Sequence, residues 1–317
     1  MTALLTKSRL SAARRCQRLH DILYIQGYRT AEEAAPLYFG TLVHEGLEQL
    51  WRGESLALPT DANPYDLARA VPMLAGYAAR WDMAEYEVLA VEQEFDCDLV
   101  NPATGASSKT WRLAGKLDAI VREKSTGRVL GVEHKTSSQD ISPGSTYWAR
   151  LSMDAQVSIY FYGLRSLGYD AAGMIYDVLG KPGLRVLQPN SKRAVQETPA
   201  EFQARIAAAI AENPAKFYAR GEVVRLESEM ADAMVDVWQS AQQLREAERL
   251  GRSPRNPDAC ENFNRLCGFF SVCSGSESLD NERLYRRIEN VHPELTQLRT
   301  PGSTESEREV HQKGAPQ

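Results

Sequence analysis

The stretch VLGVEHKTSS, residues 129–138, is apolar at its start yet carries Glu133 and Lys135 two positions apart. Upstream lie TWRLAGKLDAIVRE and the turn KSTGR, so the two runs read as a β-hairpin. Side chains alternate along a strand, which puts Glu133 and Lys135 on one face and His134 on the other. Asp118, on the first strand, stands among Leu113, Leu117, Ile120 and Val121. Burying such charges costs several kcal/mol each unless they are paired or hold a metal. Two readings follow. One is a structural salt bridge from Lys135 to Glu133 or Asp118. The other is a divalent-metal site, in which Asp118 and Glu133 offer hard oxygen ligands to Mg²⁺ or Mn²⁺. Lys135 would then offset charge on a phosphorane-like transition state or help activate a water.

The rest of the 317 residues, 43% hydrophobic and 25% charged, can bury a substantial core. No run of about 18 apolar residues is present, and MTALLTKSRLSAARRC meets Lys and Arg before a signal-peptide core could form. The expectation is a cytoplasmic protein without membrane segments. A net charge of −5 gives no global basic footprint, so nucleic-acid contact would rest on local groups. Helical spacing predicts helices from Ser8 to about Gln26 with a basic side, from Ala35 to Trp51 beside His44, from Tyr65 to Met83, and over 153–167 with Ser152 as cap. YEVLAVEQEFDCDLV reads as a strand, and AGMIYDVLG, KPG and LRVLQP as a second hairpin. Thr198, Pro199 and Glu201 open a helix with a capping box, and a long helix covers Ser228 to Leu250. From 276 the chain reads as a polar tail, disordered from about 300.

Three of the five cysteines, Cys260, Cys267 and Cys273, follow a C-x6-C-x5-C spacing, and Cys16 lies far upstream. In a reducing compartment these four are candidate metal or cluster ligands, but they form one site only if the chain ends meet. Cys97 reads as an unligated thiol.

Asp118 followed by Glu133-x-Lys135 resembles the active-site motif of the PD-(D/E)XK nuclease superfamily. FGTLVHEGLEQLW upstream and Gln156-x-x-x-Tyr160 in DAQVSIYFYGL downstream resemble motifs of its RecB-like branch. The cysteine arrangement is similar to the iron-sulfur clasp of AddB-type and CRISPR-associated members, although six residues stand between Cys260 and Cys267 where two are usual. The resemblance covers about residues 8 to 275. It implies an α/β fold, a mixed central sheet flanked by helices, with terminal helical segments (8–26 and 198–275) clasped by cysteines around a core at about 35–190, as one domain over 1–275. It implies Lys135, Glu133 and Asp118 as catalytic residues, and His44, Asp118, Glu133 and the backbone carbonyl of His134 as metal ligands. Gln156 and Tyr160 would line the DNA path, and Glu92 would be an auxiliary acid. Cys16, Cys260, Cys267 and Cys273 would hold a [4Fe-4S] cluster, or alternatively zinc.

The implied activity is a metal-dependent DNA nuclease, in exonuclease mode, serving recombination, repair or phage DNA processing on single-stranded or free-ended DNA. No G-x-x-x-x-G-K-[ST] motif is present, so a helicase or recombination partner would supply any motor. Arg14, Arg15, Arg18, Lys116, Arg150, Lys192 and Arg193 are candidate backbone contacts, and Tyr147, Trp148 and Tyr160 candidate stacking rings. Two rivals remain: a non-catalytic DNA-binding or assembly subunit that keeps the fold and cluster, and a cluster or zinc protein with no DNA role.

Overall fold

The computed structural model describes residues 2–32, 35–191, 193–262 and 265–296. Lys192 and the disorder expected from about residue 300 lie outside them. In chain order the elements are β1 (Ala3–Leu5), α1 (Lys7–Arg15), α2 (Gln17–His20), β2 (Tyr28–Thr30), α3 (Ala35–Trp51), α4 (Pro64–Arg80), β3 (Tyr86–Val100), β4 (Ser107–Glu123) and β5 (Val129–Ser137). There follow α5 (Thr146–Leu151), α6 (Ala155–Ser166), β6 (Ala171–Gly180), α7 (Pro199–Glu212), α8 (Pro214–Phe217), β7 (Tyr218–Val223) and α9 (Glu227–Leu250). The last are β8 (Glu261–Asn262), β9 (Arg265–Leu266), α10 (Phe270–Ser274) and β10 (Tyr285–Arg287).

The expected hairpin forms the middle of a mixed sheet. β3, β4 and β5 run antiparallel, β6 joins β5 in parallel, β7 returns antiparallel to β6, and β1 lies parallel to β4. One face is buried under α6 and α9, around Phe95, Trp111, Val157 and Phe161. On the other, Trp51 of α3 packs on Ala119, Val121, Val132 and Ile175, and α4 and α7 build a second core with α3. α6 is apolar almost all round because both the sheet and α9 cover it. It approaches β3 so closely that a Cβ on Gly163 would stand 2.6 Å from the Phe95 ring.

Several elements differ from expectation for physical reasons. The helix expected from Ser8 to Gln26 breaks at Cys16, which is extended at φ −164°. The freed backbone groups are taken by a distant loop: Asn256 Nδ2 donates to the Arg15 carbonyl at 2.9 Å, and the Arg18 N–H donates to the Pro254 carbonyl at 3.0 Å. The helix expected from residue 153 starts at Ala155, because Asp154 caps it by accepting from the Gln156 N–H while Ser152 closes α5. LRVLQP is not a strand. The far edge of β6 is taken by β7, so Leu184 and Val186 pack on the α4–α7 core, and the Leu187 N–H donates to Glu197 at 2.9 Å. Residues 276–296, read as polar tail, are packed: β10 pairs with β2, His292 and Leu295 are buried, and the Thr296 N–H donates to Glu94 at 2.6 Å. No helix of the described residues is long and apolar enough to cross a membrane.

Candidate active site

β4 and β5 pair only from Ala119–Val132 to Arg122–Val129. One step further the partners would be Asp118 and Glu133, and there the strands part, β4 continuing beside β1 and β5 beside β6. The sequence motif sits at this fork. With no strand opposite, the His134 N–H donates to Asp118 Oδ2 at 2.6 Å, and His44 of α3 places Nδ1 3.7 Å from Asp118 Oδ1. Glu133 Oε1 accepts from Lys135 Nζ and, at 2.6 Å, from Gln156 Nε2, which also donates to the Tyr160 hydroxyl at 2.8 Å. Gln156 and Tyr160 are one turn apart on α6, so a single helical face holds one carboxylate oxygen. Glu133 Oε2 is buried with no hydrogen-bond partner.

Burial pushes Glu133 up to about 7 despite Lys135 beside it. Burial acts the same way on Asp118, but His44 opposes it and holds the carboxyl well below its usual range. His44, which burial alone would lower, is raised by Asp118, and Lys135 is likewise raised by Glu133 and Asp118 against its own burial. Among the described residues no three His, Cys, Asp or Glu side chains stand close enough to hold a metal ion as they are. The donors nonetheless fit a hard divalent cation: one carboxylate kept ionised, a second with an uncommitted buried oxygen, and an imidazole beside them.

These shifts set a pH test. Between its ordinary 4.5 and about 7, folded Glu133 keeps a proton the unfolded chain has lost, so its contribution to stability declines as pH rises across that window. Raised His44 contributes in the same direction just above 6.5, while the Asp118 window lies below 4 and is flat here. Buried His134 and His20, which burial holds below their ordinary 6.5, act in the opposite sense over the same range, so the comparison with a variant isolates Glu133. From pH 6 to pH 8 the metal-free wild type is expected to lose melting temperature relative to Glu133→Gln, and Mn²⁺ to offset that loss by taking the deprotonated forms. An identical pH slope in wild type and Glu133→Gln would refute this.

Glu92, the auxiliary acid of the sequence reading, lies on β3 between the pairs Val91–Ala119 and Gln93–Leu117, hence across from Asp118. Its backbone is in the left-handed region, φ 54°, which is strained for a glutamate, and its carboxylate pairs with Lys116. The basic candidates are mostly engaged. Arg15 donates to the Ala259 carbonyl, Arg18 pairs with Asp21, Lys116 with Glu92 and Arg193 with Glu201. Arg9, also part of the expected basic side, is buried over Trp111 with its Nε donating to His20. Arg14 and Arg150 remain exposed.

Cys16, Cys260, Cys267 and Cys273 line one small cavity, because the α1 break and the 254–260 loop hold the chain ends together. Burial first, then the neighbouring Cys267, Cys16 and Cys260, pushes the Cys273 thiol up. Cys97 is apart on β3, where burial raises it to about 11.

One buried group escaped the sequence reading. Asp177 of β6 is 1% exposed and lies in register between His134 of β5 and Arg220 of β7. It accepts two bonds from Arg220, both at 2.7 Å, and one from the Tyr77 hydroxyl at 2.6 Å, which in turn accepts from Trp51 Nε1. The His134 ring sits among Tyr77, Trp51 and His44. The available signal was a lone Asp inside the apolar run AGMIYDVLG, the same anomaly that singled out Asp118.

A search of curated proteins finds no match. Among solved structures, the crystal structure of SSO0001 is 17% identical over 88% of this chain and 89% of that one, with a TM-score of 0.40. The family model of the PD-(D/E)XK nuclease superfamily matches residues 5–274, the span that contains the fork, its charged residues and all four clustered cysteines. The chain belongs to the PD-(D/E)XK nuclease superfamily.

Proposed function

We propose that this protein is a metal-dependent DNA nuclease acting as an exonuclease in the cytoplasm, with residues 1–275 as its nuclease domain and 276–296 packed against them. The observation that carries the reading is the fork. Asp118 is pinned by the His134 N–H and Glu133 by Lys135 and Gln156, with Glu133 Oε2 left over in a buried position. Asp118, Glu133, His44 and the His134 carbonyl would hold Mg²⁺ or Mn²⁺, which supplies a Lewis acid and a more acidic water when bound. Lys135, charged and 35% exposed, faces incoming phosphodiester and offsets its developing negative charge. Gln156 and Tyr160 keep the Glu133 carboxylate in one orientation. The non-catalytic alternative has less support, since Lys135, the residue a binding subunit could spare, still contacts Glu133.

Cleavage of end-labelled linear and closed circular DNA in Mg²⁺ or Mn²⁺, with a chelator control, tests this. An exonuclease degrades the linear forms and spares the circles. Cutting of circles makes it an endonuclease, and no cutting by folded protein sinks the enzyme reading.

The cysteine cavity supports a second part of the proposal, a [4Fe-4S] cluster clasping the chain ends, with zinc as the alternative. Anaerobically purified protein is expected to be brown, with a broad absorption near 400 nm. Cys16→Ser or Cys267→Ser is expected to bleach it and lower the melting temperature, since ligation energy is folding energy here. A colourless, metal-free preparation with unchanged stability in both variants would remove the cluster.

A further inference from the structure

Beyond the fork the cleft continues as an open groove of about 670 Å³, walled by α1 on one side and α5 on the other, with Lys135 within it. Its charge is one-sided. Lys7 and Arg14 line it from α1 and Arg150 from α5, against a single lining carboxylate, Asp154, which Lys7 already pairs. Arg14 Nε donates to Ser240 at 3.1 Å, which holds its guanidinium at the rim, and among the described residues neither Arg14 nor Arg150 has a carboxylate partner.

Between the charges the lining is mixed, with Ser11, Thr136 and Ser137 beside aromatic and apolar side chains. The Tyr147 ring is half-buried one turn from Arg150 and close enough to Lys135 to feel its charge, and Met153 is 90% exposed. The floor is Tyr176, whose buried hydroxyl has no hydrogen-bond partner.

A duplex shows a protein its phosphates and hides the flat faces of its bases, so charge alone serves to hold it. A groove that sets arginines beside a half-buried ring and an exposed thioether matches a strand whose bases are unstacked. Depth points the same way. The Glu133 side chain is only 3% exposed, so the scissile phosphodiester must bend down into the cleft, which a flexible single strand does more readily than a stiff duplex.

We propose that the α1–α5 groove is the path of a single DNA strand, with Arg14 and Arg150 on its phosphates and Tyr147 stacked on the base beside the scissile bond. This rests on the nuclease reading and adds that α1 and α5 hold the strand whose phosphodiester reaches the buried metal-binding residues.

The test is fluorescence anisotropy in chelator, so that nothing is cut, with a labelled 12-nucleotide single strand and the blunt duplex of the same sequence. The proteins are wild type, Arg14→Ala/Arg150→Ala, Tyr147→Leu, and Lys124→Ala/Arg128→Ala as a two-charge control at the β4–β5 turn, each checked by thermal melting. Wild type is expected to bind the single strand at least about tenfold tighter than the duplex. Loss of both groove arginines should weaken single-strand binding on the order of tenfold or more and flatten its salt dependence by roughly 1.4, about 0.7 per phosphate contact. Tyr147→Leu should weaken it about fivefold or more without changing the salt slope, and the control should match wild type. Equal affinity for the two DNA forms, no binding of the single strand, or an unchanged salt slope in the arginine variant overturns the groove assignment. Cleavage by wild type in Mn²⁺, run alongside, separates the two ideas. Cutting that persists when the groove assignment fails leaves the nuclease reading standing, and absence of cutting removes that reading instead.

Discussion

Lys135→Ala is expected to lower the metal-dependent cleavage rate by about a hundredfold or more, the equivalent of a few kcal/mol of transition-state stabilisation. The lysine is tethered to Glu133 Oε1 yet a third exposed, so its ammonium can face substrate while its charge is held by two carboxylates. Removing it also leaves buried Glu133 without a counter-charge, which favours the protonated acid and weakens metal binding. Rates should therefore be compared at saturating Mn²⁺ and pH 8, above the wild-type Glu133 value of about 7. Glu133→Gln, which keeps the shape and the contact with Gln156 Nε2 but loses the anionic ligand, should be at least as inactive. It should be no less stable than wild type without metal at pH 8, because the buried charge is gone. Retention of more than about a third of the wild-type rate by Lys135→Ala would assign the lysine to a salt bridge alone.

The largest expected loss of stability comes from Arg220→Ala. Asp177 is enclosed by His134, Tyr77 and Arg220, and two of its three hydrogen bonds come from the guanidinium. Removing that partner strands a buried carboxylate, a change that typically costs about 3–5 kcal/mol. The melting temperature should fall by roughly 10 °C, with the same ordering of free energies in urea. Asp177→Asn should cost less, because Arg220 is 13% exposed and stacks on Trp81 at 4.3 Å, so water and the indole can still serve it. Tyr77→Phe should cost about 1.5–3 kcal/mol, the loss of a hydrogen bond to a charged group. If Arg220→Ala melts within about 2 °C of wild type, the network is not a stability element.

The two predictions divide what was legible. Glu133, Lys135 and Asp118 stood out in the sequence because charges inside apolar strand runs are anomalous at any position, and the two-residue period put Glu133 and Lys135 on one face. The four-residue spacing put Gln156 and Tyr160 on one helical face, but that this face meets Glu133 was decided by packing. Asp177 carried the same anomaly, but its meaning depends on Arg220, which is brought beside it only when β7 takes the edge of β6. The LRVLQP segment lost that edge for the same reason. The basic candidates show the limit differently: Arg15, Arg18, Lys116 and Arg193 looked like Arg14 and Arg150 in the sequence, and their partners are decided by packing.

What the sequence by itself determined is local: alternation along β3 to β5, the helical stripes of α3 and α6, the capping box at Thr198, and therefore which residues share a face. These are short-range effects of backbone geometry and side-chain chemistry, and they act wherever the segment lies. The tertiary structure alone decided the parting of β4 and β5 at Asp118 and Glu133, the break at Cys16 that gathers four cysteines, and the groove between α1 and α5. Each of these turns on which distant segment satisfies a backbone group or covers an apolar face, a competition among non-local partners that no local pattern encodes.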